Sequence, residues 1–262
     1  MSLSFVPIRQ ALSGSGGGGP TPDLLEDFST YSSTANMIAD PRGIYSEEDP
    51  FDHDPTTDTL DQTMGYGGRT QCLKLLYTAQ INNCGDYTPA GRRLILPNSN
   101  TTEMWLDIWA MFSSTFSVFV PAGWNCSSAD AYKFFSGRTL PAGRWGYFGI
   151  VGNNWSGGYP NNEDEFENLT FASTFNPFDD TWHRYRQHWK CSTTINSADG
   201  IYQIWMDNQL AHDESGINTS DGQGNPVHLY GLQLSANINH GPAQDQNLRY
   251  GYVAIYYQNP GW

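Results

Sequence analysis

Two stretches of the chain place aromatic, charged and amide side chains at alternate positions, where they could bind a sugar. Trp105, Asp107 and Trp109 alternate in the first stretch. The second stretch supplies more side chains of the same kinds, namely Arg184, Arg186, His188, Gln203 and Trp205. Indole rings stack on the apolar faces of sugar rings, while guanidinium, amide and carboxylate groups hydrogen-bond to hydroxyls or carboxylates. The sequence therefore predicts a carbohydrate-binding groove formed by these side chains.

The alternation indicates that these side chains project from β-strands. Residues 103–112 (EMWLDIWAMF) divide into an apolar face and a face that carries both Trp side chains, which favours a strand over a helix. Residues 182–190 and 201–206 alternate in the same way and predict the two strands of a hairpin. Asp207 and Asn208 follow directly, and both residue types tolerate the positive φ of a tight turn.

The rest of the chain predicts an all-β fold. Further strands are predicted over residues 27–38, 67–77, 94–97, 132–138, 145–151, 166–173, 227–234 and 250–257, with a long surface loop over 47–61. Ten or more strands without a convincing helix predict a sandwich of two antiparallel sheets. We assign residues 23–262 to this sandwich and residues 1–22 to a separate N-terminal tether with a Gly-rich linker.

The stretch over residues 179–210 resembles the W-H-x-Y … D-G-x-x-x-x-W-x-D-G-x-L pattern of concanavalin A-like lectin/glucanase domains, a superfamily that includes laminin G-like modules and jelly-roll polysaccharide lyases. Asn208 stands where that family usually has Gly, and Asn accepts the same left-handed geometry. Residues 252–262 (YVAIYYQNPGW) look like the closing strand of a subset found in phage and environmental sequences. The resemblance implies a concanavalin A-like jelly roll. It leaves the function open, because this fold hosts lectins, hydrolases, lyases and structural modules.

The resemblance implies two enzymatic alternatives. In jelly-roll lyases a uronate carboxylate is neutralised and a Tyr or His abstracts the α-proton, and His188 with Arg184 or Arg186 could fill these roles. Glycosidases of the superfamily use E-x-D-x-E on one strand face. Residues 163–167 (EDEFE) have Glu at the centre instead, so an acidic surface loop is the preferred interpretation.

A structural Ca²⁺ is the single cofactor that the resemblance suggests. Asp23, Glu26 and Asp27 could supply oxygen ligands near the start of the domain, and Asp221 with Asn225 forms a second candidate set. No EF-hand spacing accompanies either set.

The four cysteines, Cys72, Cys84, Cys126 and Cys191, match no zinc pattern. Cys72 and Cys84 could form a disulfide across a strand end, or the cysteines could all be free thiols packed as small hydrophobic residues.

Composition excludes some partners. The net charge of −14 argues against nucleic acid, because phosphate binding needs clustered Lys and Arg. No apolar run is long enough to span a membrane, and no standard signal peptide is visible. N-glycosylation sequons begin at Asn100, Asn125, Asn154, Asn168 and Asn218.

The N-terminal segment has two interpretations. Leu3, Phe5 and Ile8 could form a short strand, followed by the linker SGSGGGGPTP over residues 13–22. A disordered tail is the simpler interpretation. The alternative is a tether whose apolar strip adds to the sheet of a neighbouring subunit.

We predict a non-enzymatic phage module on the virion surface: a decoration, head-fibre or tail-associated protein that binds surface glycans through a Trp/Arg-lined concave sheet. It would form a homo-oligomer that contacts neighbouring subunits through its N-terminal tail. The first alternative is a polysaccharide-degrading enzyme, a uronate lyase before a glycoside hydrolase. The second is a glycosylated extracellular filament subunit assembled through the N-terminal strand.

Overall fold

Strands with alternating apolar residues pair into antiparallel sheets in the computed structural model of the protein. The structure describes residues 20–40, 43–44, 58–81, 84, 92–98, 100–124, 126, 131–140, 145–151, 154–158, 169–171, 175–219, 228–234, 238 and 240–262. Within these residues no helix is long and apolar enough to cross a membrane. The predicted apolar strip (Leu3, Phe5, Ile8), the acidic stretch 163–167, Asp221, Asn225, and the sequons at Asn125 and Asn168 lie outside the described residues.

The first sheet contains eight strands and carries the site described below. Its strands are β1 (Leu24–Glu26), β3 (Asp58–Asp61), β4 (Cys72–Tyr77), β6 (Glu103–Phe112), β11 (His183–Lys190), β12 (Gly200–Met206), β13 (Gln209–Ile217) and β15 (Gln246–Tyr256). They follow the order β13-β12-β11-β6-β15-β4-β3, and β1 pairs with β15.

The second sheet contains seven strands. They are β2 (Gly43–Ile44), β5 (Arg92–Ile95), β7 (Ala131–Leu140), β8 (Trp145–Val151), β9 (Asn154–Gly158), β10 (Leu169–Phe171) and β14 (His228–Leu234), in the order β10-β9-β8-β7-β14-β5-β2. The predicted all-β jelly-roll sandwich is confirmed.

The core lies between the two sheets and is rich in aromatic rings. Phe134 of the second sheet packs against Tyr185 and Tyr250 of the first, with ring centroids 4.7 and 5.5 Å apart. Trp189 and Tyr202 are also buried in this layer. Burial of each such ring stabilises the fold by roughly 2–3 kcal/mol, so the aromatic core fixes how the sheets face each other.

The predicted hairpin is confirmed: β11 and β12 pair antiparallel. The turn that follows β12 is also as predicted, because Asp207 and Asn208 have φ values of 46° and 67°. Asp207 anchors this turn to β11. Its Oδ1 accepts a hydrogen bond from the Arg184 backbone N–H at 2.8 Å, and its Oδ2 bonds to His183 Nδ1 at 2.7 Å.

A bulge in β15 decides which side chains leave the core. The pairing of β15 with β6 shifts register between Tyr250 and Tyr252, so one extra residue, Gly251, is inserted. Tyr250 therefore points into the core, while Tyr252 and Tyr256 point out of it. Gly251 itself lies beneath Tyr66 and Trp182.

Two predictions of local structure are wrong, and some strands were not predicted. Residues 27–38 do not form a strand: the strand ends at Glu26, whose carboxylate accepts hydrogen bonds from Phe28 N–H and Tyr31 Oη. A short helix, α1 (Thr34–Ile38), follows, with Ser33 as its N-cap. Residues 58–61 of the predicted loop form β3, and β9 and β13 were not predicted.

The disulfide also differs from the predicted pair. Cys84 bonds to Cys126, 42 residues away in sequence. Cys72 and Cys191 are buried free thiols, and burial raises the pKa of each to about 12. Sequence spacing carried no information on this pairing, because it depends on which strand ends meet.

Substituting Gly251 by Ala should destabilise the protein. An added Cβ would lie 2.6 Å from Tyr66 Cβ and 2.9 Å from the Trp182 ring, closer than van der Waals contact allows. We expect a loss of about 1–3 kcal/mol in the free energy of unfolding, measured by urea titration. An unchanged midpoint would show that the bulge has space for a side chain.

Acid should destabilise the fold through Asp27. Burial alone would raise the pKa of Asp27, but hydrogen bonds from Ser29 and Arg69 more than offset it, so the pKa lies below the ordinary 3.8. Its contribution to stability is therefore complete above about pH 4 and is lost as the pH falls through the lowered pKa. In urea titrations between pH 5 and pH 2, Asp27→Asn should show a shallower loss of stability than the wild type. Arg69→Gln, which keeps the Ser29 bonds, should give an intermediate slope, and identical slopes in all three proteins would contradict this account.

Candidate functional site

The face of the first sheet that points away from the core, here called the outer face, carries the predicted groove residues. Strand pairing arranges them in three rows across β12, β11, β6 and β15. The rows are Gln203–His188–Trp105–Tyr256, then Trp205–Arg186–Asp107–Ala254, and then Arg184–Trp109–Tyr252. Neighbours within a row are about 5 Å apart and successive rows about 7 Å apart. All eight predicted residues are thus brought onto one surface.

The aromatic residues of this surface do not lie between the sheets. Trp105 is only 7% exposed, yet it belongs to a separate outer cluster with Ala254 and Tyr256. Its indole stacks on the His188 ring, with centroids 4.4 Å apart and planes at 5°. Trp109 and Trp205 are half-buried and keep part of their surface in contact with solvent.

Asp107 and Arg184 form the central ion pair. Two parallel hydrogen bonds join them, from Arg184 Nε to Oδ1 at 2.8 Å and from Nη2 to Oδ2 at 2.7 Å. The hydrogen bonds that Arg184 donates to Asp107 raise the pKa of Arg184, although burial opposes this. Arg184 also lies over the Trp109 ring, 5.9 Å from its centroid. The pair is therefore a rigid, neutralised unit beneath the groove.

His188 is held at both ring nitrogens. Nε2 bonds to Glu103 Oε1 at 2.9 Å, and Nδ1 bonds to Gln203 Oε1 at 3.0 Å. The Gln203 amide is oriented by its own donation to Asp213 Oδ1 at 2.7 Å. Side chains therefore occupy both nitrogens of the imidazole, and these two contacts hold the ring where it stacks on Trp105.

Two phenols that the sequence analysis missed lie beside the ion pair. Tyr252 and Tyr256 flank Ala254, whose small side chain leaves room above Asp107. Burial raises the pKa of both phenols. The interaction between the two phenols raises the pKa of Tyr252 further and opposes the effect of burial on the pKa of Tyr256. The signal that could have found them is Gly251, which marks the bulge.

A second aromatic group borders the phenols. Tyr66 stacks on Trp109 with ring centroids 4.1 Å apart and meets Trp182 edge-on at 6.0 Å. Arg69 lies over the Tyr252 ring at 5.4 Å from its centroid and is paired with Asp27. These half-buried rings extend the surface on which a sugar can stack.

The candidate Ca²⁺ ligands are not brought together. Asp23 accepts a hydrogen bond from Tyr257 N–H, Glu26 is buried, and Asp27 is paired with Arg69. Among the described residues no group of three His, Cys, Asp or Glu side chains is arranged to hold a metal ion. These residues therefore do not fit a calcium site. Of the sequons, Asn100 is exposed, Asn154 lies in β9, and Asn218 donates a hydrogen bond to the Ile195 carbonyl.

Comparison with solved structures relates the fold of this chain to that of known enzymes. The endo-β-1,4-glucuronan lyase of Trichoderma reesei superposes with a TM-score of 0.60 at 14% identity, over 90% of this chain and 95% of that one. Alginate lyase Aly36B gives 0.56 at 12% identity, over 90% and 98%, and mutants of it were solved with alginate tri- and tetrasaccharides. The alginate lyase of Aplysia kurodai gives 0.53 at 11% identity, over 90% and 99%. No protein-family model matches the chain, and the search of curated proteins found no match.

The chain has the jelly-roll fold of polysaccharide lyases. The prediction of a non-enzymatic virion module is contradicted, because a glucuronan lyase and alginate lyases share this fold over nearly the whole chain. The resemblance to a phage subset has no support in this comparison. That resemblance was carried by strand-forming residues, which report the fold and not the chemistry.

Replacing Arg184 should destabilise the protein, because the buried Asp107 carboxylate would lose its counter-ion. The Asp107 side chain is 6% exposed and that of Arg184 is 26% exposed. We expect Arg184→Ala to lower the free energy of unfolding by about 2–4 kcal/mol, at the lower end if water reaches Asp107.

The double variant Arg184→Gln/Asp107→Asn tests the cause of this loss. It removes both charges, so it should recover part of the stability in the same urea titration. If the double variant is less stable than Arg184→Ala, the loss does not come from an unpaired carboxylate.

Proposed function

We propose that the protein is a polysaccharide lyase that cleaves a uronate-containing polysaccharide by β-elimination on the outer face. The observation that carries the proposal is the Tyr252–Tyr256 pair above Asp107 and Arg184, on the fold that glucuronan and alginate lyases share. Phenols in such a pair can act as base and acid, and the indoles beside them can hold the sugar chain.

The pair suggests which phenol takes which role. The neighbouring Tyr252 phenol and the charge of Arg184 both lower the pKa of Tyr256 against the effect of burial, so both favour its phenolate. Tyr256 would remove the C5 proton of the uronate. The electrons of that C–H bond form the C4–C5 double bond as the C4–O bond breaks, and Tyr252 protonates the leaving glycosidic oxygen. A cation at the uronate carboxylate stabilises the charge that develops. Arg69, which lies 5.4 Å from the centroid of the Tyr252 ring, and Arg184 are the guanidinium groups beside the phenols.

His188 has a positioning role in this proposal. Because Glu103 and Gln203 occupy its two nitrogens, it orients Trp105 by stacking. His188→Ala should therefore raise KM more than it lowers kcat.

The disulfide supports an extracellular location for this enzyme. The Cys84–Cys126 bond is of a kind that persists in oxidising compartments and is rare in the cytosol. Polysaccharide substrates are also found outside cells, so both points favour an extracellular location.

The test is ultraviolet absorbance of unsaturated sugar ends during incubation with glucuronan, alginate and other polyuronates. Tyr256→Phe should lower kcat by about 10²–10⁴-fold on the substrate that is cleaved, because it removes the proton acceptor. Tyr257→Phe is the matched control, since its phenol oxygen accepts from the Asn98 N–H instead, and it should keep the activity. No unsaturated ends from any polyuronate would overturn the proposal.

The pH dependence separates a phenol base from an imidazole base. Burial places the pKa of Tyr256 above its ordinary 10, so the reactive phenolate becomes more abundant as the pH rises toward that value. The rate of elimination should therefore increase by about tenfold per pH unit between pH 7 and pH 9. A rate that levels off near neutral pH would instead indicate an imidazole such as His188.

A further inference from the structure

A buried guanidinium without a counter-ion lies two strands from the phenols. Arg186 is only 6% exposed, and its Nε is buried with no hydrogen-bond acceptor. Its Nη2 donates to Asn208 Oδ1 at 2.8 Å. Among the residues that the structure describes, no carboxylate lies within ion-pair distance of Arg186. A buried cation without an anion is destabilising by several kcal/mol, so an anion bound here would stabilise the protein.

The charges on this part of the outer face do not balance. Arg184 and Arg186 occupy successive outer positions of β11, and both donate to the same oxygen, Asn208 Oδ1. The carboxylate of Asp107, which lies opposite Arg186 on β6, is engaged by Arg184 through both of its oxygens. Burial and the charge of Arg184 both lower the pKa of Arg186, but a guanidinium in a protein remains charged. One positive charge is therefore left over.

A second unused donor lies beside it. The Arg186 guanidinium is 4.6 Å from the centroid of the Trp262 ring. Trp262 packs edge-on against Trp205, with centroids 5.2 Å apart, and its Nε1 is buried without an acceptor. A carboxylate has two oxygens in one plane, so it can accept from a guanidinium and from a neighbouring indole N–H.

We propose that Arg186 and Trp262 form a second carboxylate site, which binds the uronate next to the sugar being cleaved. This inference rests on the proposed function, and it adds a requirement for specificity. Arg186 is separated from β15 by β6, about 10 Å across the sheet, so it serves a different sugar from the one at Tyr256. The enzyme should then prefer chains with carboxylates on consecutive sugars over chains in which neutral sugars alternate with uronates.

The proposal is tested by calorimetric binding of glucuronan and alginate tetrasaccharides, each compared with its carboxyl-reduced counterpart. Arg186→Gln should weaken binding of the tetrauronate by about 10–100-fold and leave the neutral tetrasaccharide unchanged. Trp262→Phe, which keeps an aromatic ring but removes the N–H, should weaken it by about 3–10-fold.

Lys190→Gln is the matched control, because it removes one positive charge from the same strand. Lys190 lies at the end of β11 and 4.0 Å from Asp199, so the control should bind the tetrauronate within about 3-fold of the wild type. Circular dichroism establishes that each variant is folded, and Trp262→Phe alone decides the result if Arg186→Gln does not fold.

Several outcomes overturn the second carboxylate site: wild-type affinity in Arg186→Gln, an equal loss for the charged and neutral ligands, or no binding of either tetrauronate by the wild type. Failure of the lyase proposal is distinguishable from these. Arg186-dependent binding without unsaturated products would retain the site and reject the elimination. If Arg186→Gln still catalyses elimination with an unchanged KM, the lyase proposal is retained and the second carboxylate site is rejected.

Discussion

The pairing of β6 with β11 is the constraint on which the site depends. It runs in register from His183 opposite Ala110 to Lys190 opposite Glu103. Because side chains alternate along a strand, the same hydrogen bonds place Tyr185 in the core and Arg186 on the outer face. A slip of one residue would drive three cations and an imidazole into the apolar layer. The aromatic core therefore selects the register, and the register alone places the side chains of the site next to one another.

The electrostatics of the outer face oppose those of the whole chain. The net charge is −14, so a polyanionic chain approaching from a distance is repelled except where salt screens the interaction. Asp27 and Asp107 neutralise Arg69 and Arg184, so the local exception is the one positive charge that Arg186 leaves over on this face. Capture of a uronate would then depend on short-range contacts with guanidinium and indole groups, and association should become faster as the ionic strength rises.

Much of the fold and part of the site could be predicted from the sequence. Alternation in residues 103–112 and in the hairpin was sufficient to place Trp105, Asp107 and Arg186 on one surface, because period-2 patterns survive into the structure. The role of each residue could not be predicted. Asp107 forms an ion pair with Arg184, and His188 is hydrogen-bonded to Glu103 and Gln203. Such pairings depend on cross-strand register, which a single strand does not encode.

The phenols were missed for a related reason. Uninterrupted alternation would put Tyr250, Tyr252 and Tyr256 on the same side of β15, and the bulge at Gly251 separates them. The disulfide and the short helix likewise depend on which segments meet in space, and spacing in the chain does not report that.

The inserted residue in β15 also affects how this chain should be aligned with others. At identities of 11–14%, an alignment of β15 has few anchors, and a gap placed one position away would match the outer-face phenols of one protein with core side chains of another. Two proteins with the same outer-face residues would then look unrelated at the positions that they share in space. Superposition of backbones avoids this error, so relatives of this protein should be sought first by comparing structures and only then by comparing sequences.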